Sequence, residues 1–139
     1  MIGFRQLCLR IFYSPGLSWL RLGQLLAALV IFAWMALATP PTELLKLTRD
    51  GVLHFIGNFL LMGSVWVAFY GRLSLKVSVP MAVVYSLSIE ALQGLTQNRQ
   101  PDPMDALANG AGILAGLVVV ITMEHFLKVW QCQLQELSE

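Results

Sequence analysis

Four apolar stretches dominate the chain, separated by short links rich in helix breakers. They run roughly from Leu22 to Ala38, Val52 to Tyr70, Val77 to Leu95 and Ala106 to Met123. Each approaches the ~20 apolar residues that carry an α-helix across a bilayer core. Pro40-Pro41, Gly71-Arg72 and Pro101 with Pro103 mark the reversals between them. Ahead of the first stretch, Phe4, Leu7, Cys8, Ile11 and Phe12 share one side of a short helix that Ser14-Pro15-Gly16 ends. With Arg5 and Arg10 beside it, this helix is expected on the inner membrane surface. The tail from His125 to Leu137, which carries Trp130, is expected to lie there too. The pattern predicts an all-α, integral membrane four-helix bundle with short interfacial helices at the N-terminus and the C-terminus. Residues 1–139 form one domain in this reading.

Ala36-Leu37-Ala38 follows a hydrophobic run and has the small-x-small form of a signal-peptidase site. The run is long for a signal segment, so it is read as a retained first span. Composition supports a membrane protein. The chain is 57% hydrophobic and 12% charged, whereas soluble domains are about a quarter charged. Its mean hydropathy is +0.69. A net charge of +1 without a basic tract gives no footprint for nucleic acid. Arg5, Arg10, Arg21, Arg72, Lys76 and Lys128 fall on one side of the four spans, and Lys46, Arg49 and Arg99 on the other. By the positive-inside rule both termini are cytoplasmic. Cys8 and Cys132 then stay reduced, and no disulfide is expected.

Polar residues inside the spans carry the candidate chemistry. Asp50, His54 and Asn58 are spaced i, i+4, i+8 at the start of span two. Ser86, Glu90, Gln93 and Gln97 follow one face near the end of span three. Asp102, Asp105 and Asn109 do the same at the start of span four. Each spacing holds one helix face, and the topology brings all three faces to the outer end. An acid within a span is costly unless it faces protein or water, so Glu90 is the sharpest signal. Opposite it, His54 forms an acid–base pair in which the carboxylate tunes the imidazole. A structural partner, Arg99 or His54, is the alternative, and a functional role is the preferred reading of Glu90.

Simpler roles stand beside these. Asp102-Pro103-Met104-Asp105 reads as a helix start, with an aspartate cap, proline in the first turn and a second acid. Capping explains Asp102; for Asp105 capping and a site role are both open. Asn109 lies too deep to cap and could bond a neighbouring helix. Ala108, Gly112 and Gly116 form a small-residue stripe suited to close helix packing. Arg99 either reaches lipid phosphates or clamps an anionic headgroup. Metal binding by His54, Glu90 and Asp105 lacks a supporting spacing, and no cofactor motif is present.

At these positions the sequence resembles the VanZ-like family of small bacterial membrane proteins. The resemblance rests on Asp50-x-x-x-His54-Phe55, Glu90-x-x-Gln93, Arg99 followed by Asp105, and Ala108-Asn109-x-x-Gly112. It is strongest over residues 45–120. Members often carry lysine where this chain has Gly51, and an aromatic residue where it has Asn58. The resemblance implies a cell-envelope role in the cytoplasmic membrane, with founding members linked to lowered susceptibility to the glycopeptide teicoplanin.

The expected site therefore has His54, Glu90 and Asp105 as catalytic groups, and Asp50, Gln93, Arg99 and Asn109 as substrate-binding groups. The expected partner is a membrane lipid or lipid-linked cell-wall intermediate, with a homo-oligomer or protein partner also open. Non-catalytic binding of a lipid or glycopeptide, or service as an accessory subunit, are the alternatives to catalysis.

Overall fold

The computed structural model describes residues 2–37, 50–95 and 103–136. Among these, the chain is helical from end to end: α1 (Ile2–Tyr13), α2 (Ser18–Leu37), α3 (Asp50–Phe69), α4 (Leu75–Gly94) and α5 (Pro103–Glu136). A 3-10 turn, Pro15–Leu17, leads from α1 into α2. Four helices are long and apolar enough to cross a membrane. The chain is a multi-pass membrane protein built as an all-α bundle.

The α3–α4 connection shows how local chemistry sets the topology. Gly71 has φ 73°, the left-handed conformation that ends a helix without a Cβ penalty. The amides of Arg72 and Leu73 both donate to the Phe69 carbonyl, at 2.9 and 3.1 Å. This tight reversal fixes α3 and α4 as antiparallel neighbours.

α3 is the central helix, with 44% of its span buried against 11%, 22% and 28% for α2, α4 and α5. Its closest partner is α5. A Cβ on Gly112 would run into the Phe55 carbonyl, and one on Gly116 would approach the Phe59 carbonyl at 2.9 Å. Those two glycines, with Ala108 against Gly51 above them, let the backbones approach as a small-residue stripe does. Below the stripe the core is apolar, built on Leu61, Met62, Val65, Ala68, Ile113 and Val120.

α1 closes the end of the bundle that carries the termini. Arg5 donates to Gln133 Oε1 at 3.1 Å and lies 5.7 Å over the Trp130 ring. Tyr13 and Tyr70 share a 2.8 Å hydroxyl–hydroxyl bond, and Phe12 packs edge-on against Tyr70. Arg21, counted above only as a flanking charge, is buried and donates to the Phe12 carbonyl. It thereby satisfies one of the orphan carbonyls at the end of α1.

One difference from the sequence pattern concerns the tail. His125 onward is not a separate interfacial helix but the continuation of α5, which runs unbroken for 34 residues. At 1.5 Å per residue that is about 51 Å, well beyond a hydrocarbon core of about 30 Å. No Gly or Pro occurs between Leu117 and Glu136 to interrupt it.

Candidate functional site

The polar residues of α3, α4 and α5 meet at the end of the bundle opposite the termini. His54 lies one turn into α3, Glu90 one turn before the end of α4, and Asn109 nearly two turns into α5. These offsets place the cluster about 6–9 Å inside the helix ends. His54, Asn58 and Asn109 are buried, Asn58 completely. Glu90 and Asp105 are half-buried.

Asn109 is the hub. Its Nδ2 donates to Glu90 Oε2 at 3.1 Å. Its Oδ1 faces His54 Nδ1 at 3.0 Å and accepts a short hydrogen bond from Asn58 Nδ2. Asn58 Nδ2 also donates to the His54 carbonyl one turn back, at 2.9 Å. On the other side of the imidazole, His54 Nε2 stands 3.5 Å from Asp105 Oδ2. The result is a continuous polar chain, Asp105–His54–Asn109–Glu90, across three helices.

The hydrogen bonds fix a proton on Nδ1 of the histidine. A carboxylate only accepts, so Glu90 requires the NH₂ of Asn109 and turns the amide oxygen toward His54. Nδ1 must then carry a proton and donate, while Nε2 faces the Asp105 carboxylate. Glu90 therefore does not touch the imidazole. The pairing of His54 directly with Glu90, expected from their shared level, is replaced by one through Asn109, and the carboxylate at the ring is Asp105.

Other expected residues fall differently. Gln93 is buried and donates to the Ala36 carbonyl at 2.9 Å, tying α4 to the end of α2. Ser86, on the same α4 face, is buried. Asn58, noted in the sequence for its alignment with His54, is a full member of the cluster and was absent from the expected set. Its i+4 spacing was the available signal. Arg99, Asp102 and Gln97 lie outside the described residues, as does the side chain of Asp50. Among the described residues, no group of three His, Cys, Asp or Glu side chains could hold a metal ion.

A buried polar chain among four apolar helices defines a class: a polytopic membrane protein with a polar cluster at one end. The family follows from the sequence as a whole. The chain belongs to the VanZ/LLP1 family, whose profile matches residues 8–125. That match spans all four membrane helices except the end of α5. No curated protein and no solved structure matches the chain.

Proposed function

We propose that this VanZ-like protein acts in the bacterial cytoplasmic membrane, with both termini cytoplasmic and the polar site at the outer face. There it performs acid–base chemistry on a lipid or lipid-linked cell-wall intermediate. The observation that carries this reading is the Asp105–His54–Asn109–Glu90 chain. Polar groups in a membrane bundle that converge from separate helices mark functional sites by default.

In this scheme His54 Nε2 is the general base, and a proton taken up there faces the Asp105 carboxylate. Asn109 holds the ring, and Glu90 holds Asn109, so both are positioning residues. Arg99 and Asp50 bind the headgroup, with Gln93 supporting that wall through α2. A cell-envelope action of this kind fits the glycopeptide, specifically teicoplanin, phenotype that the family resemblance implies.

The burial of His54 and Asn109 favours one other reading. Both are about 8% exposed, as a cluster that pins helices together would be. In that case the protein binds a lipid or glycopeptide, or serves as an accessory subunit, without turnover.

Mass spectrometry of envelope lipids and lipid-linked precursors separates the two. Cells making the native chain are compared with cells making His54→Ala or Asp105→Asn at equal membrane levels. Catalysis requires a species that shifts only with the native chain. Identical profiles for all three sink the catalytic reading. Glu90→Gln discriminates less, since Gln keeps an oxygen that accepts from Asn109.

A further inference from the structure

A concavity lies along α4, away from the polar chain. It is a groove of about 630 Å³, within the size range of ligand sites. Its walls are Leu25 and Leu29 of α2, Val65 of α3, and Val77, Met81 and Val84 of α4. Tyr85 closes one end by donating to the Leu29 carbonyl at 2.6 Å. Ser88, beside it, donates back to the Val84 carbonyl of its own helix at 2.7 Å, which satisfies its hydroxyl hydrogen. Lys76 stands at the other end, by the α3–α4 turn.

Length and charge bear on what fits. From Lys76 to Ser88 the groove follows α4 for about 18 Å, close to one leaflet of a core about 30 Å thick. An apolar slot of that length with a cation at one end suits an acyl chain that runs from a headgroup toward the middle of the membrane.

The polar end has its own chemistry. The Lys76 ammonium is exposed, at the first turn of the span, where phosphates of the leaflet lie. Arg72, also exposed, adds a second positive charge four residues earlier. Pro80 offers no N–H to the Lys76 carbonyl one turn before it, which leaves that carbonyl open to a donor. Cation and carbonyl together match a phosphate whose headgroup carries hydroxyls.

We propose that this groove holds one acyl chain of an anionic phospholipid from the leaflet on the α3–α4 turn side, with Lys76 on its phosphate. The site is independent of the His54 cluster. It gives the loosely packed α2–α4 face a fixed lipid partner.

Native mass spectrometry of the full chain in detergent tests this, with phosphatidylglycerol and phosphatidylcholine of matched acyl chains as probes. The native protein is expected to retain one phosphatidylglycerol per chain, preferred about fivefold over phosphatidylcholine, the effect of one lysine near a charged headgroup. Lys76→Gln removes the preference. Arg10→Gln, which deletes a charge elsewhere at the same end, keeps it. Val84→Trp, at a position 62% exposed, fills the groove and loses the lipid while helicity is retained. Equal retention of both lipids by the native chain overturns the proposal. So does a lipid adduct that survives Val84→Trp, or a chain dimer that Val84→Trp dissolves.

Discussion

Asn109 stands between His54 and Glu90, giving its amide oxygen to the imidazole at 3.0 Å and its amide nitrogen to the carboxylate at 3.1 Å. No other side chain of similar size offers an acceptor and a donor in that order. Asn109→Ala removes the His54 Nδ1 bond, the Glu90 bond and one bond of Asn58. Interhelical hydrogen bonds in membranes average about 0.6 kcal/mol, and the three together with desolvation predict a loss of about 2 kcal/mol. Equilibrium unfolding in mixed micelles measures it. A loss under about 0.5 kcal/mol would mean the three groups find other partners.

The glycines of α5 separate sharply by position. A Cβ at Gly112 meets the Phe55 backbone carbonyl and Asn58 Cβ, and backbone cannot swing aside. Gly112→Val is expected to cost about 3 kcal/mol through forced separation of α3 and α5. Gly110, two residues earlier, has nothing within 4 Å of such a Cβ. Gly110→Ala is expected to be neutral or to stabilise by roughly 0.5–1 kcal/mol through helix propensity. Thermal unfolding of the two variants in one detergent gives the comparison. Similar melting temperatures would contradict the packing.

Orientation can be read from a thiol. Cys132 is exposed near the end of α5. It shares that end of the bundle with Arg5, which bonds Gln133, and with the α3–α4 turn, where Arg72 sits and Lys76 follows in the first turn of α4. The positive-inside rule predicts that this end is cytoplasmic. In a Cys8→Ser background, a membrane-impermeant maleimide should label Cys132 in inverted vesicles and not in intact cells. Labelling of intact cells would reverse the topology and place the His54 cluster inside.

Much of this arrangement was legible in the chain. Apolar length gave the four spans, and the i, i+4 and i+3, i+7 spacings gave the polar faces of α3, α4 and α5. Periodicity assigns a face to a residue but not its level against another helix. That is why Glu90 and His54 looked like direct partners, and why Asn109, expected on substrate or a neighbouring helix, was not placed between them. The level depends on the close α3–α5 approach at Gly112 and Gly116, a tertiary property. Arg21 was counted by sign alone, and its burial under the end of α1 follows from how α1 folds back. The length of α5 was obscured by Glu124, His125 and Lys128, whose polarity suggests an interface. Glu124 and Lys128 instead pair at i, i+4, at 3.0 Å, on a continuous helix.

The tautomer of His54 supplies the most specific check on the polar chain. With Glu90 fixing the Asn109 amide, a proton on Nδ1 is expected. Nitrogen-15 chemical shifts of labelled histidine distinguish the two ring nitrogens. Glu90→Gln preserves an acceptor for the Asn109 NH₂ and should keep the Nδ1–H form. Glu90→Leu removes the acceptor, frees the amide to turn, and should yield a mixture of tautomers with a loss of about 1 kcal/mol in stability. An unprotonated Nδ1 in the native protein would mean that Asn109 presents its NH₂ to His54. The role of Glu90 as the residue that orients Asn109 would then be wrong.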